Sequence, residues 1–528
     1  MLVIQNLVKS FGNRKIIRNF NYVFRENEII ALIGVNGAGK TTLLKILTNQ
    51  ESYDAGQIIK QKDKMIGYLP QEPNPNPEDT ILIECCAGNE FMFNLQKKVC
   101  ELEEKLGLDY SNEILEEFET AERIYRDNGG YSFENNAKKI LLGLGFHEEQ
   151  MNLHPRVLSG GWRMRLEIAK LLIKNPDLLI LDEPTNHLDL PSIEWLEEYL
   201  EKFKGTVLFV SHDEALLNQL PDRILSLEGG YLREYTGNYE DYLEQKTQLE
   251  ENKQKSVKNL EKKIKQLSKF VDRFKSTATL AKQAQSKMKV IEKLQGQIED
   301  LGPNIIQPEL NIKIPLITVS AKNVLNFDGE IGYKTETEEK KLLSNFSLSI
   351  LRGQKIGIIG ANGLGKSTLL KTLVGEIKPL KGAIELGGNV KIGYYSQDQA
   401  KSLDTEKSVI ENMKLANSGF PENKMLKILG SFLFKNDDLH KPVRILSGGE
   451  KSRLSLAMML IRDLNFIILD EPTNHLDILS SQILASALSN FEGTVLFVSH
   501  NRSFIDSVAT HLLVFENGNA LLETCNLF

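Results

Sequence analysis

Two stretches of this chain combine glycines, a lysine and a hydroxyl residue at the spacing that cradles phosphate. GVNGAGKT at 34–41 and GANGLGKS at 360–367 both follow the pattern GxxxxGK[ST]. Glycines at Gly34, Gly37 and Gly39, and at Gly360, Gly363 and Gly365, allow backbone N–H groups to point inward around the phosphates, with Asn36 and Asn362 in the predicted ATP-binding sets. Lys40 and Lys366 have the reach for the β- and γ-phosphates of ATP. The hydroxyls of Thr41 and Ser367 suit Mg²⁺, and Thr42 and Thr368 complete each predicted ATP-binding set. A helix opening at the lysine would add its positive end to the site.

Further along, LLILDE (178–183) and FIILDE (466–471) each end an apolar strand in two carboxylates. Asp182 and Asp470 are placed to hold the Mg²⁺ shell, and Glu183 and Glu471 to orient and polarise an attacking water. That division suits phosphoryl transfer, which depends on positioning and charge stabilisation. His212 and His500 close the apolar runs GTVLFVSH and are expected to contact the γ-phosphate.

All these residues come in pairs because the chain repeats itself. Lys40 and Lys366 are 326 positions apart, as are Gln71 and Gln397. Ser159 and Ser447, Glu183 and Glu471, and His212 and His500 are all 288 apart. The first half therefore carries about 38 extra residues between 71 and 159. LDEPTNHLD recurs without a change, beginning at Leu181 and at Leu469.

The elements that must position these groups alternate strand with helix. EIIALIGVNG reads as a strand feeding a glycine loop, and KTTLLKILT continues it as a helix. LEIAKLLIKNPDLLILDEP reads as helix, turn and buried strand. The expected fold is α/β with a mostly parallel sheet in each half. The 528 residues are too many for one core, and 41% hydrophobic with 26% charged residues is the balance of a globular protein. No apolar run approaches the roughly 18 residues that span a membrane. MLVIQNLVKSFGNRK lacks the layout of a secretion signal, so the expected location is cytoplasmic. The four cysteines show neither metal-ligand nor disulfide spacing.

In order and spacing, the phosphate loop, a glutamine loop, LSGG, LDEPT and a strand-ending histidine resemble the ATP-binding cassette superfamily. The resemblance covers both halves. It implies that each ATP lies between the phosphate loop of one cassette and the LSGG signature of the other. One site would join Lys40, Gln71, Glu183 and His212 to Ser447 and Gly449. Its partner would join Lys366, Gln397, Glu471 and His500 to Ser159 and Gly161. Gln71 and Gln397 would also approach the metal. An aromatic residue would stack on each adenine: Phe11 in the first half and Tyr333, rather than Phe327, in the second. Both sites are expected to be competent. The signatures differ (LSGGWR against LSGGEK), as do the residues after the histidines (DEALL against NRSF), which argues against equal rates.

Between the halves lies a charged helical stretch, about 241–314. Val257, Leu260, Ile264, Leu267, Val271 and Phe274 are spaced as a coiled-coil stripe, and Ile291, Leu294, Ile298 and Leu301 form a second. STATLAKQAQSKM between them reads as the tip of an antiparallel pair. A helix of about 30 residues would extend roughly 45 Å. Pro303, Pro308 and Pro315 mark an extended return. Residues 252–293 hold thirteen Lys and Arg against three Asp and Glu, +10 on a chain whose net charge is -7. Such a stretch fits either a polyanion partner or a solvated coiled-coil face; its one-sided sign favours the former.

Tandem cassettes (1–240 and 315–528) joined by a basic helical hairpin resemble the ABC-F group of translation factors. FVDRFKSTATLAKQAQSK, 270–287, carries that likeness, and a helical arm at about 83–125 accounts for the extra residues of the first cassette. The resemblance implies a monomer whose cassettes pair intramolecularly on the ribosome, expected at the E site. Its linker would approach rRNA and peptidyl-tRNA through Lys269, Arg273, Lys275, Lys282 and Lys287. It leaves open a general translation factor or an antibiotic-resistance protein of the same group. A DNA-acting ATPase and the motor of a transporter are the competing classes.

Overall fold

The computed structural model describes residues 2–524 except 13, 70–78, 109, 275–280, 301–311, 313, 317, 335–338, 397–402, 475 and 517. The chain divides into two compact units, Met1–Glu234 with Glu309–Phe528, and Tyr235–Pro308. The first unit holds both cassettes and the second the helical linker.

Each cassette is built on a six-stranded sheet. In the first the order is Ile66–Leu69, Leu178–Asp182, Thr206–Val210, Ile29–Ile33, Arg223–Glu228, Tyr231–Thr236. The second repeats it with Ile392–Tyr395, Phe466–Asp470, Thr494–Val498, Lys355–Gly360, His511–Glu516, Asn519–Thr524. Pairing in the second sheet is parallel except at its last strand. Leu178–Asp182, Thr206–Val210 and their counterparts are buried along their whole length. That explains why they read as unbroken apolar runs rather than alternating ones.

A three-stranded antiparallel sheet packs beside each of these, absent from the sequence reading. In the first cassette it orders Arg14–Phe24, Leu2–Phe11 and Ala55–Lys60. Leu2, Ile4 and Leu7 join Ile30, Leu32, Leu43 and Leu44 in one apolar cluster. This sheet closes over the helix that follows the phosphate loop and fixes it from the far side.

The insertion of the first cassette forms helices Glu90–Leu108 and Asn112–Asp127, which pack together. Ser111 caps the second by accepting a hydrogen bond from Ile114 N at 3.4 Å. Cys85 and Cys86, just before this pair, are buried free thiols, and Cys100 is an exposed one.

In the linker unit, helix Tyr239–Phe274 runs for 36 residues, roughly 54 Å, and packs on helix Ala281–Asp300. Val257, Leu260, Ile264, Leu267 and Val271 are all covered, as the stripe requires, and the side chain of Phe274 lies outside the described residues. The second helix begins at Ala281, so AKQAQSKM belongs to it and the tip is shorter than the spacing suggested. Ala281 and Ala284 are strong helix formers and carry no helix-breaking signal, so their propensity extends the helix. Leu301, Pro303 and Pro308 lie outside the described residues.

Candidate functional site

Both phosphate loops end in helices that begin at the lysine, Lys40–Leu47 and Lys366–Leu373. The preceding Gly39 and Gly365 have φ of 108° and 97°. A Cβ on Gly39 would lie 2.1 Å from Ile16 Cγ2, so sterics and backbone both demand glycine there. Lys40 is buried and donates to Gly34 O at 2.6 Å; Lys366 donates to Gly360 O at 2.5 Å and Ala361 O at 3.0 Å. Burial lowers the pKa of both, and Glu183 and Glu471, respectively, oppose it most strongly.

At the neighbouring strand ends the two carboxylates of each pair have different surroundings. Both oxygens of Asp182 are buried, and the Thr41 hydroxyl is the largest influence opposing that burial. Burial raises its carboxyl to about 6. Asp470 Oδ1 accepts from Ser367 Oγ at 3.1 Å. Buried carboxylate and hydroxyl oxygens without full partners are a hard-oxygen donor set that fits Mg²⁺, with Thr41 and Asp182 in one cassette and Ser367 and Asp470 in the other.

Glu183 and Glu471 sit in the left-handed region, with φ of 51° and 50°. A non-glycine residue held there stores about 1–3 kcal/mol of strain. Their N–H groups donate to Val210 O and Val498 O, each at 3.0 Å, which anchors the turn to the adjacent strand. His212 Nε2 lies 3.3 Å from Glu183 Oε1, and His500 Nε2 3.2 Å from Glu471 Oε1. Histidine and glutamate therefore meet over both phosphate loops, and His500 Nε2 is also 3.2 Å from Asn362 Oδ1.

The two glutamates are nonetheless unequal. Burial opposes ionisation of Glu183, but His212, Lys40 and a 2.6 Å hydrogen bond from Asn186 Nδ2 hold its carboxyl down to about 2. Burial dominates at Glu471 and pushes its carboxyl up to about 7. His500 is brought down to about 3 by burial and Lys366, which keeps the ring neutral.

The signatures stand at helix N-termini, Gly160–Lys174 and Gly448–Leu460. Ser447 forms a reciprocal cap with Glu450: Glu450 Oε2 accepts from Ser447 N at 2.8 Å, and Ser447 Oγ accepts from Glu450 N at 3.4 Å. Trp162 occupies the position of Glu450, and Ser159 makes no side-chain cap bond. Trp162 instead packs edge-on against Phe146, with the Arg165 guanidinium 4.6 Å from its ring.

What joins the cassettes is a residue pair that sequence reasoning missed. Asp189 Oδ2 accepts from Asn362 N of the opposite phosphate loop at 2.7 Å, and Asp477 Oδ2 accepts from Asn36 N at 3.2 Å. Each aspartate also caps its own helix, Asp189 through Ser192 N and Asp477 through Ser480 N. Arg165 Nη2 is 3.2 Å from Asp189 Oδ2 in a pair whose side chains are 1% and 6% exposed. Arg453 Nη1 is 4.0 Å from Asp477. A chain of contacts thus runs from the signature helix of one cassette through its aspartate to the phosphate loop of the other. The signal was on the page: both aspartates are the last letter of LDEPTNHLD.

Phe11 is 51% exposed at the end of its strand, with Lys9 Nζ 4.8 Å from the ring. Tyr333 is 38% exposed, whereas Phe327 is 2% exposed in the core against Phe346. Gln71, Gln397 and Lys275 lie outside the described residues, as do the side chains of Arg273 and Lys282. Lys269 is exposed and Lys287 half-buried on the linker helices.

The chain is similar to known proteins along most of its length. A family model described as ABC transporter matches residues 17–186 and 343–474, and a second of the same description matches 225–311. The putative ATP-binding protein YdiF of Bacillus subtilis (strain 168) is 40% identical over 517 residues, 97% of this chain and 79% of the relative. ABC transporter F family member 5 of Arabidopsis thaliana is 36% identical over 523 residues, covering 98% and 75%. The solved structure of RNase-L Inhibitor aligns with a TM-score of 0.62 at 20% identity over 98% of this chain and 90% of that one. A model of ribosome-bound archaeal Pelota and ABCE1 aligns at 0.57, also at 20% identity, over 98% and 78%. Those two likenesses show the shared fold.

Proposed function

Because the chain belongs to the ABC-F family of ATP-binding cassette ATPases, we propose that it couples ATP-driven pairing of its cassettes to binding of the ribosome, at the E site, and tunes translation through its linker. The observation that carries this reading is the basic helix pair that follows the first cassette and precedes the second in sequence, together with the joining of the two cassettes by Asp189 and Asp477. Among the described residues no helix is long and apolar enough to cross a membrane, so the transporter reading would need a separate membrane partner and leaves the basic linker without a purpose. The relative solved in a ribosome-bound complex supports the choice of partner. The setting of this activity is the cytoplasm.

In this reading the phosphate loops, Lys40 and Lys366 hold the β- and γ-phosphates. Phe11 and Tyr333 stack on the adenines, and Gln71 and Gln397 reach the nucleotide and its metal. Glu183 and Glu471 orient the attacking water, while His212 and His500 hold the γ-phosphate. Mg²⁺, with Thr41, Asp182, Ser367 and Asp470 as its residues, would neutralise charge on the phosphate oxygens. Ser159 and Gly161, or Ser447 and Gly449, would close each site from the opposite cassette. ATP favours the closed state only by binding it more tightly than the open one.

The test is the double variant Glu183→Gln, Glu471→Gln, followed through a sucrose gradient of cell lysate. Expected is co-migration with 70S or 80S ribosomes in ATP and release in ADP. Migration at the top of the gradient, or with membranes or DNA, would refute the ribosomal reading and leave the ATPase intact.

A further inference from the structure

The cassette interface is not symmetric, and its asymmetry has a direction. Beyond the aspartate contacts, Arg502 of the second cassette reaches helix Leu190–Glu201 of the first. Its Nη2 is 3.3 Å from Glu197 Oε2 and 3.7 Å from Glu194 Oε1. Glu197 is buried, and its Oε1 makes no hydrogen bond among the described residues. On the other side of the pseudo-twofold axis the offset of 288 maps Arg502 onto Glu214, Glu194 onto Gln482 and Glu197 onto Ala485. There the contact is one hydrogen bond, from Gln482 Nε2 to Glu214 Oε1 at 2.9 Å.

We propose that Arg502 with Glu197 and Glu194 forms a one-sided charged latch, so that the ATP site holding Lys366 and facing Ser159 stays closed while the site holding Lys40 opens first. Three equivalent pairs point the same way. The aspartate-to-loop bond is 2.7 Å at the Lys366 site and 3.2 Å at the Lys40 site. The arginine-to-aspartate distance is 3.2 Å against 4.0 Å. The helix-to-helix contact is an ion pair on one side and a bond with an uncharged partner on the other. Arg502 follows His500 by two residues, and Glu197 lies on the helix that Asp189 caps, so the latch and the tighter aspartate contact share one edge of the interface. Withdrawing Arg502 would leave Glu197 beside Glu194 and Asp213, three acids with their cross-cassette cation gone. A buried carboxylate that loses its cross-interface cation resists separation more than a carboxylate that loses one uncharged donor.

The proposal rests on nucleotide-driven closure of the cassettes but not on the ribosome as partner. Spin labels on a ketone-bearing non-canonical amino acid would report each edge of the full-length chain separately. One pair, at Glu198 and Ser507, spans the latched edge; the equivalent pair, at Gln219 and Ser486, spans the other. The closed reference is Glu183→Gln, Glu471→Gln in ATP. Transferred to ADP, the Gln219–Ser486 distance should broaden and lengthen while the Glu198–Ser507 distance keeps its closed value. Arg502→Ala should raise the open fraction at Glu198–Ser507 on the order of tenfold, and the exchange Arg502→Glu, Glu197→Arg should restore it. Equal opening at both edges of the unmutated chain overturns the latch alone. No movement at either edge overturns the latch and nucleotide-driven closure together. A wild-type difference that survives Arg502→Ala assigns the asymmetry elsewhere and also sinks the proposal.

Discussion

Asp189 shows how much one short side chain can carry. One carboxylate caps a helix, meets a buried guanidinium and accepts an N–H from the opposite phosphate loop. Burial alone would raise its pKa, but Arg165 and the Asn362 N–H outweigh that and hold it down to about 2, below the ordinary 3.8. A depressed carboxyl stabilises the fold above its unfolded pKa and loses that contribution as pH falls through the folded one. Asp189→Asn should therefore destabilise the chain by about 3–5 kcal/mol at pH 7, because Arg165 is left buried without its counter-charge. The gap between wild type and variant should narrow between about pH 4 and pH 2. Urea unfolding across that range reads it, and a gap independent of pH would refute the ion-pair account.

Helix ends show the same economy at the scale of elements. Ser447 and Glu450 cap each other, whereas Ser159, with Trp162 at the position of Glu450, makes no such bond. Ser447→Ala should cost about 1 kcal/mol of stability without nucleotide, and Ser159→Ala no more than a few tenths. Thermal unfolding of the two variants in nucleotide-free buffer checks this; equal losses would show that the cap is not what separates them. Trp162 was legible as a departure from its counterpart, but its packing against Phe146 was not, since nothing in spacing brings residues 146 and 162 together. Short-range patterns, by contrast, were read correctly. The glycine loops, the helices after them and the buried strands ending in Asp182 and Asp470 follow from local periodicity. The antiparallel sheets escaped because residues of Leu2–Phe11 and Ala55–Lys60 pair at separations of 47 to 58 positions, with register shifts that blur their alternation. Asp189 and Asp477 escaped because their partners lie 173 and 441 positions away.

For the molecule as a whole, charge is distributed by unit: +10 over residues 252–293 on a chain of net -7. If the linker meets ribosomal phosphates, affinity should fall steeply with salt. Neutralising Lys269, Arg273, Lys275, Lys282 and Lys287 should lower the slope of log affinity against log salt by about 1 for each phosphate contact removed. Filter binding to purified ribosomes over a salt series measures it, and an unchanged slope would move the contact from RNA to protein. The cassette pairing has another consequence, in terms of descent. Two segments that arose as copies have lost their interchangeability. A second copy of the first cassette in place of the second would set Glu214 against Glu194 and Glu197, acid facing acid. A second copy of the second in place of the first would leave Arg502 facing Gln482 and Ala485. Only unlike halves complement each other, so the duplication can no longer be undone by swapping its parts.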